Sequence, residues 1–128
     1  MLLLDTCTLL WLAAEASELS ARSRALIAAH PNGLHVSAIS AFEIALKHRK
    51  GKLVLPAEPE RWLDEILSFH AVEAIPVDRR IAARSAILPS RHGDPCDRII
   101  VATAAAHGLT ILSPDPLLRK YRQAKVVW

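Results

Sequence analysis

No apolar run in this chain approaches the roughly 20 residues that a membrane-spanning helix needs. Glycines are also scarce, with 4 in 128 residues, and neither an internal repeat nor a low-complexity stretch is present. The hydrophobic fraction of 52% and the charged fraction of 23% are ordinary for a folded domain. The chain is therefore expected to form one soluble cytoplasmic domain over residues 1–128, with no membrane association. Its opening apolar residues lack a basic flank and are expected to form a strand rather than a signal peptide.

Cysteine is scarce too, and its two copies lie far apart at Cys7 and Cys96. This number excludes a disulfide framework, and no spacing of cysteine and histidine resembles a zinc site. Small buried thiols are the favoured interpretation. Each cysteine nevertheless lies within two residues of an aspartate that is singled out below.

Strand-like and helix-like segments alternate along the chain. Strands are predicted where short apolar runs end at turn residues, and helices where a capping residue precedes a longer segment. The predicted strands are Leu2–Leu4, Leu34–Val36, Val72–Val77, Leu109–Leu112 and Val126–Trp128. The predicted helices are Thr8–Ala13, Ala21–His30, one from Ser37 or Ser40 to Lys50, Pro59–His70, one from Asp78 to Leu88, Cys96–His107 and Pro116–Tyr121. Such alternation predicts a three-layer α/β/α fold around a parallel sheet of four to five strands.

Carboxylates follow or flank these predicted elements at four places. Asp5 comes directly after the first apolar run, and Asp115 closely follows Leu109–Leu112. Glu43 lies at the edge of an apolar helix face, and Asp97 lies in the first turn of an apolar helix that we expect to be buried nearly all round. Because ligands bind at the carboxyl ends of parallel strands, these acids are expected to converge there. Carboxylates without matching bases suit a hard cation such as Mg²⁺ or Mn²⁺.

Helix capping is the competing interpretation for several of these acids. Asp94 precedes Pro95, and Asp115 precedes Pro116, as at many helix N-termini. Glu43 stands three residues after Ser40, which is the spacing of a capping box. Asp5 is harder to explain in this way, since a carboxylate buried without a partner costs several kcal/mol, but capping of the short helix at Cys7 and Thr8 would satisfy it.

Positive charge is in modest excess, at +3 with a pI of about 9.2. It is locally dense at the predicted end of the helix that carries Glu43. That run could contact the phosphates of a polyanion, or it could be a solvated helix end, where cations are favoured. Its basic residues are Lys47, Arg49, Lys50 and Lys52.

Four segments, taken in order, resemble the PIN-domain ribonucleases, and specifically the VapC-type toxins of toxin–antitoxin pairs. Leu3-Leu4-Asp5-Thr6 is similar to the first strand and first catalytic aspartate of the family. The segment from Val36 to Ala45 is similar to its S-x-x-S-x-x-E-I helix, and His92 to Arg98 to its H-x-D-P-F-D-R motif. Leu112-Ser113-Pro114-Asp115 is similar to its final T-x-D element, and Trp128 to its terminal tryptophan. Cys96 stands where the family has phenylalanine, and Ser113 where it has threonine, so no acid is lost.

The resemblance implies an endoribonuclease that depends on Mg²⁺ or Mn²⁺ and acts as a toxin. It implies an RNA substrate, a cognate antitoxin and a homodimer as partners. The implied catalytic and metal-binding residues are Asp5, Glu43, Asp97 and Asp115. Thr6, Ser113 and Asp94 are implied to support them through hydrogen bonds. Arg98, Lys47, Arg49, Lys50 and Lys52 are the candidates for RNA phosphate contacts.

Two other functions were weighed against this one. A haloacid-dehalogenase-like phosphatase needs a second aspartate two residues after the first, and Cys7 occupies that position. That function is therefore excluded. A catalytically silent PIN-like module, which binds RNA or protein and keeps its acids as helix caps, remains open.

Overall fold

A parallel sheet of five strands forms the middle layer of the molecule. The computed structural model describes residues 1–89 and 93–128. Its strands are β1 (Leu2–Leu4), β2 (Leu34–Ser37), β3 (Val72–Ile75), β4 (Thr110–Leu112) and β5 (Val126–Val127). Their order across the sheet is β3-β2-β1-β4-β5, and every pairing is parallel. The predicted parallel sheet is confirmed, and β1 occupies its centre.

Helices cover both faces of this sheet. They are α1 (Thr6–Ala14), α2 (Ala21–Ala28), α3 (Ala38–Arg49), α4 (Pro59–Phe69), α5 (Arg79–Ala86) and α6 (Pro95–His107). Successive residues of a strand point to opposite faces, so Leu4 packs with α1, α3 and α4 while Leu3 packs with α6. Neither Leu3 nor Leu4 has any exposed surface. The three-layer α/β/α arrangement is therefore confirmed.

Several predicted boundaries were wrong, for local reasons. The first helix begins at Thr6 rather than Thr8, because Asp5 is its N-cap. The strand predicted to reach Val77 ends at Ile75, since Pro76 has no N–H to continue the ladder. The helix predicted over residues 116–121 is a single 3-10 turn, Leu118–Lys120.

Burial also differed from expectation at two helices. The apolar helix α6 is buried only through Ala104, and the following alanines, Ala105 and Ala106, are exposed. Phe42 on α3, expected on the apolar stripe, is 56% exposed. No helix of residues 1–89 and 93–128 is long and apolar enough to cross a membrane.

Candidate active site

Asp5 ends β1 and begins α1, and its carboxylate is almost fully buried. Its Oδ1 accepts the Thr8 N–H at 2.9 Å, which satisfies one of the free amides at the helix N-terminus. Its Oδ2 accepts the hydroxyl of Ser113, which follows the neighbouring strand β4. The Cys7 thiol points at both oxygens, at 3.3 and 3.5 Å. All of these donors are neutral, so the negative charge of Asp5, only 5% exposed, is not balanced by them.

Glu43 is joined to α1 by a chain of hydroxyl groups. The Thr6 hydroxyl donates to Glu43 Oε1 at 2.6 Å and lies 2.8 Å from the Ser40 hydroxyl. Since the one proton of Thr6 serves Glu43, the Ser40 hydroxyl donates to Thr6. Ser40 has no exposed surface. Thr6 is the residue after Asp5, so this chain connects the second acid to the first.

The capping box predicted for Ser40 and Glu43 is wrong. The N-cap of α3 is Ser37, whose hydroxyl accepts the Ile39 N–H at 3.2 Å. Ser40 and Glu43 therefore lie inside the helix, one turn apart on the same face. Their hydrogen bonds reach across to α1 rather than back to the helix terminus.

The N-terminus of α6 brings two more acids to Glu43. Asp94 is the N-cap, as predicted, and accepts the Cys96 N–H at 2.9 Å. Asp97 lies in the first turn of the same helix. Burial, and then the charges of Asp94 and Asp97, raise the pKa of Glu43, although the Thr6 hydrogen bond and Lys47 oppose the shift. His92, the first residue of the quoted motif, lies outside the described residues.

Asp115 lies on the Asp5 side of the site. Its backbone N–H donates to the Ser113 hydroxyl at 3.1 Å, and its carboxylate accepts the Leu117 N–H at 2.9 Å. Ser113 is fully buried and thus joins Asp115 to Asp5. The capping role predicted for Asp115 is confirmed for the turn that follows it.

The four acids consequently form two groups rather than one closed cage. Asp5 and Asp115 share Ser113, while Glu43 and Asp97 interact through their charges. Thr6 connects the two groups. Among residues 1–89 and 93–128, no three histidine, cysteine or acidic side chains are close enough to hold a metal ion. The four acids nevertheless offer carboxylate oxygens without histidine, and these are the ligands that Mg²⁺ or Mn²⁺ prefers.

A thiol accompanies each group of acids. Burial, and then the charge and hydrogen bond of Asp5, raise the pKa of Cys7 to about 12. Burial, followed by the charges of Glu43, Asp94 and Asp97, raises the pKa of Cys96 to about 11. Both thiols are partly buried, and their raised pKa values keep them protonated at neutral pH.

The basic candidates occupy different surroundings. Lys47 lies close enough to Glu43 for its charge to lower the pKa of that carboxyl. Arg49, Lys50 and Lys52 are exposed beyond it at the end of α3. Arg98 instead donates from Nε to the Ser85 carbonyl at 2.9 Å and from Nη2 to the carbonyls of Ala86 and Leu88, at 3.3 and 2.6 Å. The guanidinium thereby fastens the start of α6 to the end of α5.

Two contributors at the site were not predicted from sequence. The Ser40 hydroxyl holds Thr6, and the Cys7 thiol faces Asp5. The three-residue spacing of Ser40 and Glu43 could have indicated a shared face of α3. The family resemblance implied that Thr6 supports the acids, but nothing in the sequence indicated that it would also pair with Ser40.

Comparison with known proteins places the chain among relatives of the same length. A family model described as PIN domain matches residues 2–123. Ribonuclease VapC22 of Mycobacterium tuberculosis is 35% identical over 127 residues, which cover 98% of this chain and 95% of that protein.

Solved structures share the fold over nearly their whole length. FitAcB from Neisseria gonorrhoeae has a TM-score of 0.72 at 25% identity. The alignment covers 100% of this chain and 97% of the FitAcB chain. DNA-bound VapBC from Salmonella typhimurium also has a TM-score of 0.72, at 17% identity. That alignment covers 98% of this chain and 96% of the VapBC chain.

Proposed function

Because this chain belongs to the PIN domain family, we propose that it is a metal-dependent endoribonuclease that acts as a VapC-type toxin. The carrying observation is Asp5, a buried carboxylate at the carboxyl end of the central strand whose hydrogen-bond donors within residues 1–89 and 93–128 are all neutral. Such a charge is costly unless a cation balances it. The neighbouring acids supply further oxygen ligands for that cation.

The proposed ligands of Mg²⁺ or Mn²⁺ are Asp5 and Asp97, with Glu43 and Asp115 completing the site directly or through water. When bound, such a cation stabilises charge on phosphoryl oxygens and lowers the pKa of bound water. The neutral hydroxyl donors fix the carboxylates: Ser113 orients Asp5, and Thr6 orients Glu43. Asp94 fixes the first turn of α6 and hence the position of Asp97.

The raised pKa of Glu43 is consistent with this proposal. Its neighbours Asp94 and Asp97 make the ionised form unfavourable, and a cation among them would reverse that effect. The proposed contacts to RNA phosphates, which would not read bases, are made by Lys47, Arg49, Lys50 and Lys52, and their exposure supports this assignment. Arg98 remains a candidate for such a contact, although its described hydrogen bonds go to α5.

The proposed partners are an antitoxin, a second copy of the chain and an RNA substrate. VapC22 carries the name of a ribonuclease, and the Klebsiella pneumoniae neighbour is described as a toxin–antitoxin complex. That neighbour covers 100% of this chain with a TM-score of 0.68. These likenesses support the antitoxin, whereas the homodimer rests on the family resemblance alone.

Cleavage of labelled RNA by the purified chain tests the proposal. We expect cleavage with Mn²⁺ or Mg²⁺, none with EDTA, and none by Asp97→Asn. Asp64→Asn, an exposed acid on α4, is the matched control and should cleave normally. Expression of the wild type alone should arrest bacterial growth, and Asp97→Asn should remove the arrest. A wild type that binds RNA but never cleaves it with either metal would favour the silent PIN-like module.

A further inference from the structure

Helix α5 carries three arginines on its solvent side: Arg79, Arg80 and Arg84. Only Ile81 and Ser85 of this helix are buried, and they face the core one turn apart. Within residues 1–89 and 93–128, no hydrogen bond or ion pair engages any of the three guanidinium groups. They are free to bind a ligand.

Their placement works against the stability of the helix. Arg79 and Arg80 occupy the first turn, where the partial positive charge of the helix dipole repels cations, and the carboxylate of the N-cap Asp78 accepts the Ile81 N–H rather than pairing with either arginine. Arg80 and Arg84 are four residues apart, so their like charges also face each other along the helix. Residues that destabilise their own helix in this way are expected at functional sites.

The arginine surface adjoins the candidate active site. Arg84 precedes Ser85, whose carbonyl accepts from Arg98, and Arg98 follows Asp97. The side of α5 that faces solvent otherwise presents Ala82, Ala83 and Ala86. These small side chains leave room for a polyanionic backbone to approach the guanidinium groups.

We propose that Arg79, Arg80 and Arg84 bind the phosphodiester backbone of single-stranded RNA and guide it toward Asp97. The inference rests on the proposed function and adds a location for its substrate. Guanidinium groups match phosphate oxygens through paired hydrogen bonds, and such contacts position RNA without reading its sequence. RNA is favoured over an acidic protein segment because the residues between the arginines are alanines, and Ile87 at the C-cap is the one large apolar side chain exposed beside them on α5.

The test is the salt dependence of RNA binding in EDTA, where no cleavage is needed. The probe is a short fluorescein-labelled oligouridylate, followed by fluorescence anisotropy over a range of NaCl concentrations. Each phosphate contact contributes a slope of about 0.7 for single strands, so Arg80→Gln/Arg84→Gln should lower the slope by about 1.4. The melting temperature of this variant should be unchanged or higher, because unfavourable charges have been removed.

The matched control is Arg22→Gln/Arg61→Gln, which removes the same charge from exposed positions on α2 and α4. These helices pack on the sheet face opposite α6, so the control should keep the wild-type slope. Equal slopes for the two double variants would overturn the inference, and this is also the result expected if α5 binds an acidic protein. A wild type that never cleaves RNA would overturn the proposed function instead, and the slopes would still report on α5.

Discussion

Asp5 offers a sharp test of the site because its carboxylate caps α1 and is also a proposed metal ligand. Carboxylates gathered without a cation repel one another, and that effect alone would make Asp5→Asn neutral or stabilising. The hydrogen bonds of Asp5 in the structure reverse this expectation, so that Asp5→Asn should lower the free energy of unfolding. Oδ1 accepts the Thr8 N–H at 2.9 Å, and Oδ2 accepts the buried Ser113 hydroxyl.

The loss of unfolding free energy depends on which hydrogen bonds of Asp5 each substitution keeps. Asn retains an oxygen for the Thr8 N–H and so keeps the cap, but it exchanges the charge-assisted bond to Ser113 for a neutral one, at a cost of about 1 kcal/mol. Asp5→Ala also loses the cap, at about 1 kcal/mol, and leaves Ser113 without its acceptor, for a total of about 2–4 kcal/mol. At this chain length, each kcal/mol should lower the melting temperature by roughly 3–5 °C.

Urea unfolding at pH 7 in EDTA measures these losses. Asp78→Asn is the matched control, since Asp78 caps α5 through the Ile81 N–H at 2.8 Å and lies outside the site. Added Mn²⁺ should stabilise the wild type by mass action and should stabilise Asp5→Asn much less. If Asp5→Asn equals or exceeds the wild type in EDTA, repulsion outweighs the three donors. A wild type that does not respond to Mn²⁺ would contradict the metal site itself.

Two further predictions concern side chains beside the acids. Arg98→Lys should lower the free energy of unfolding by about 1–3 kcal/mol, because a single ammonium nitrogen cannot replace Nε and Nη2 at the carbonyls of Ser85, Ala86 and Leu88. Urea unfolding measures this loss. An equal loss in the exposed control Arg84→Lys would contradict the role of Arg98. At pH 8, iodoacetamide should alkylate Cys7 far more slowly in the folded than in the unfolded protein, because its pKa is raised from 9.0 to about 12 and little thiolate is present. Mass spectrometry of the modified peptides measures both rates, and equal rates would show that the thiol is not shielded.

The family motifs and the order of the elements could be predicted from sequence because both depend on neighbours along the chain. Alternating apolar runs and capping residues predicted an α/β fold, and caps such as Asp78 and Asp94 hydrogen-bond amides only two or three residues away. Gly108 ends α6 at a φ of +63°, a conformation that favours glycine.

Contacts between distant residues could not be predicted in the same way. Helix capping was the competing interpretation of Glu43, on its spacing from Ser40, but both side chains turn to Thr6, 37 and 34 residues away. Arg98 was predicted only as a candidate for phosphate contacts, and its hydrogen bonds to the carbonyls of Ser85, Ala86 and Leu88 could not be read from the sequence.

The sequence by itself determined the alternation of strands and helices and several of their caps, and its four motifs carried the resemblance to the PIN family and its set of acids. Only the tertiary structure decided which donors surround each acid. Ser113 reaches Asp5 across 108 residues because β1 and β4 lie side by side with Leu4 opposite Leu112. Such pairings depend on strand order and register, which are set by packing of the whole core rather than by any local pattern.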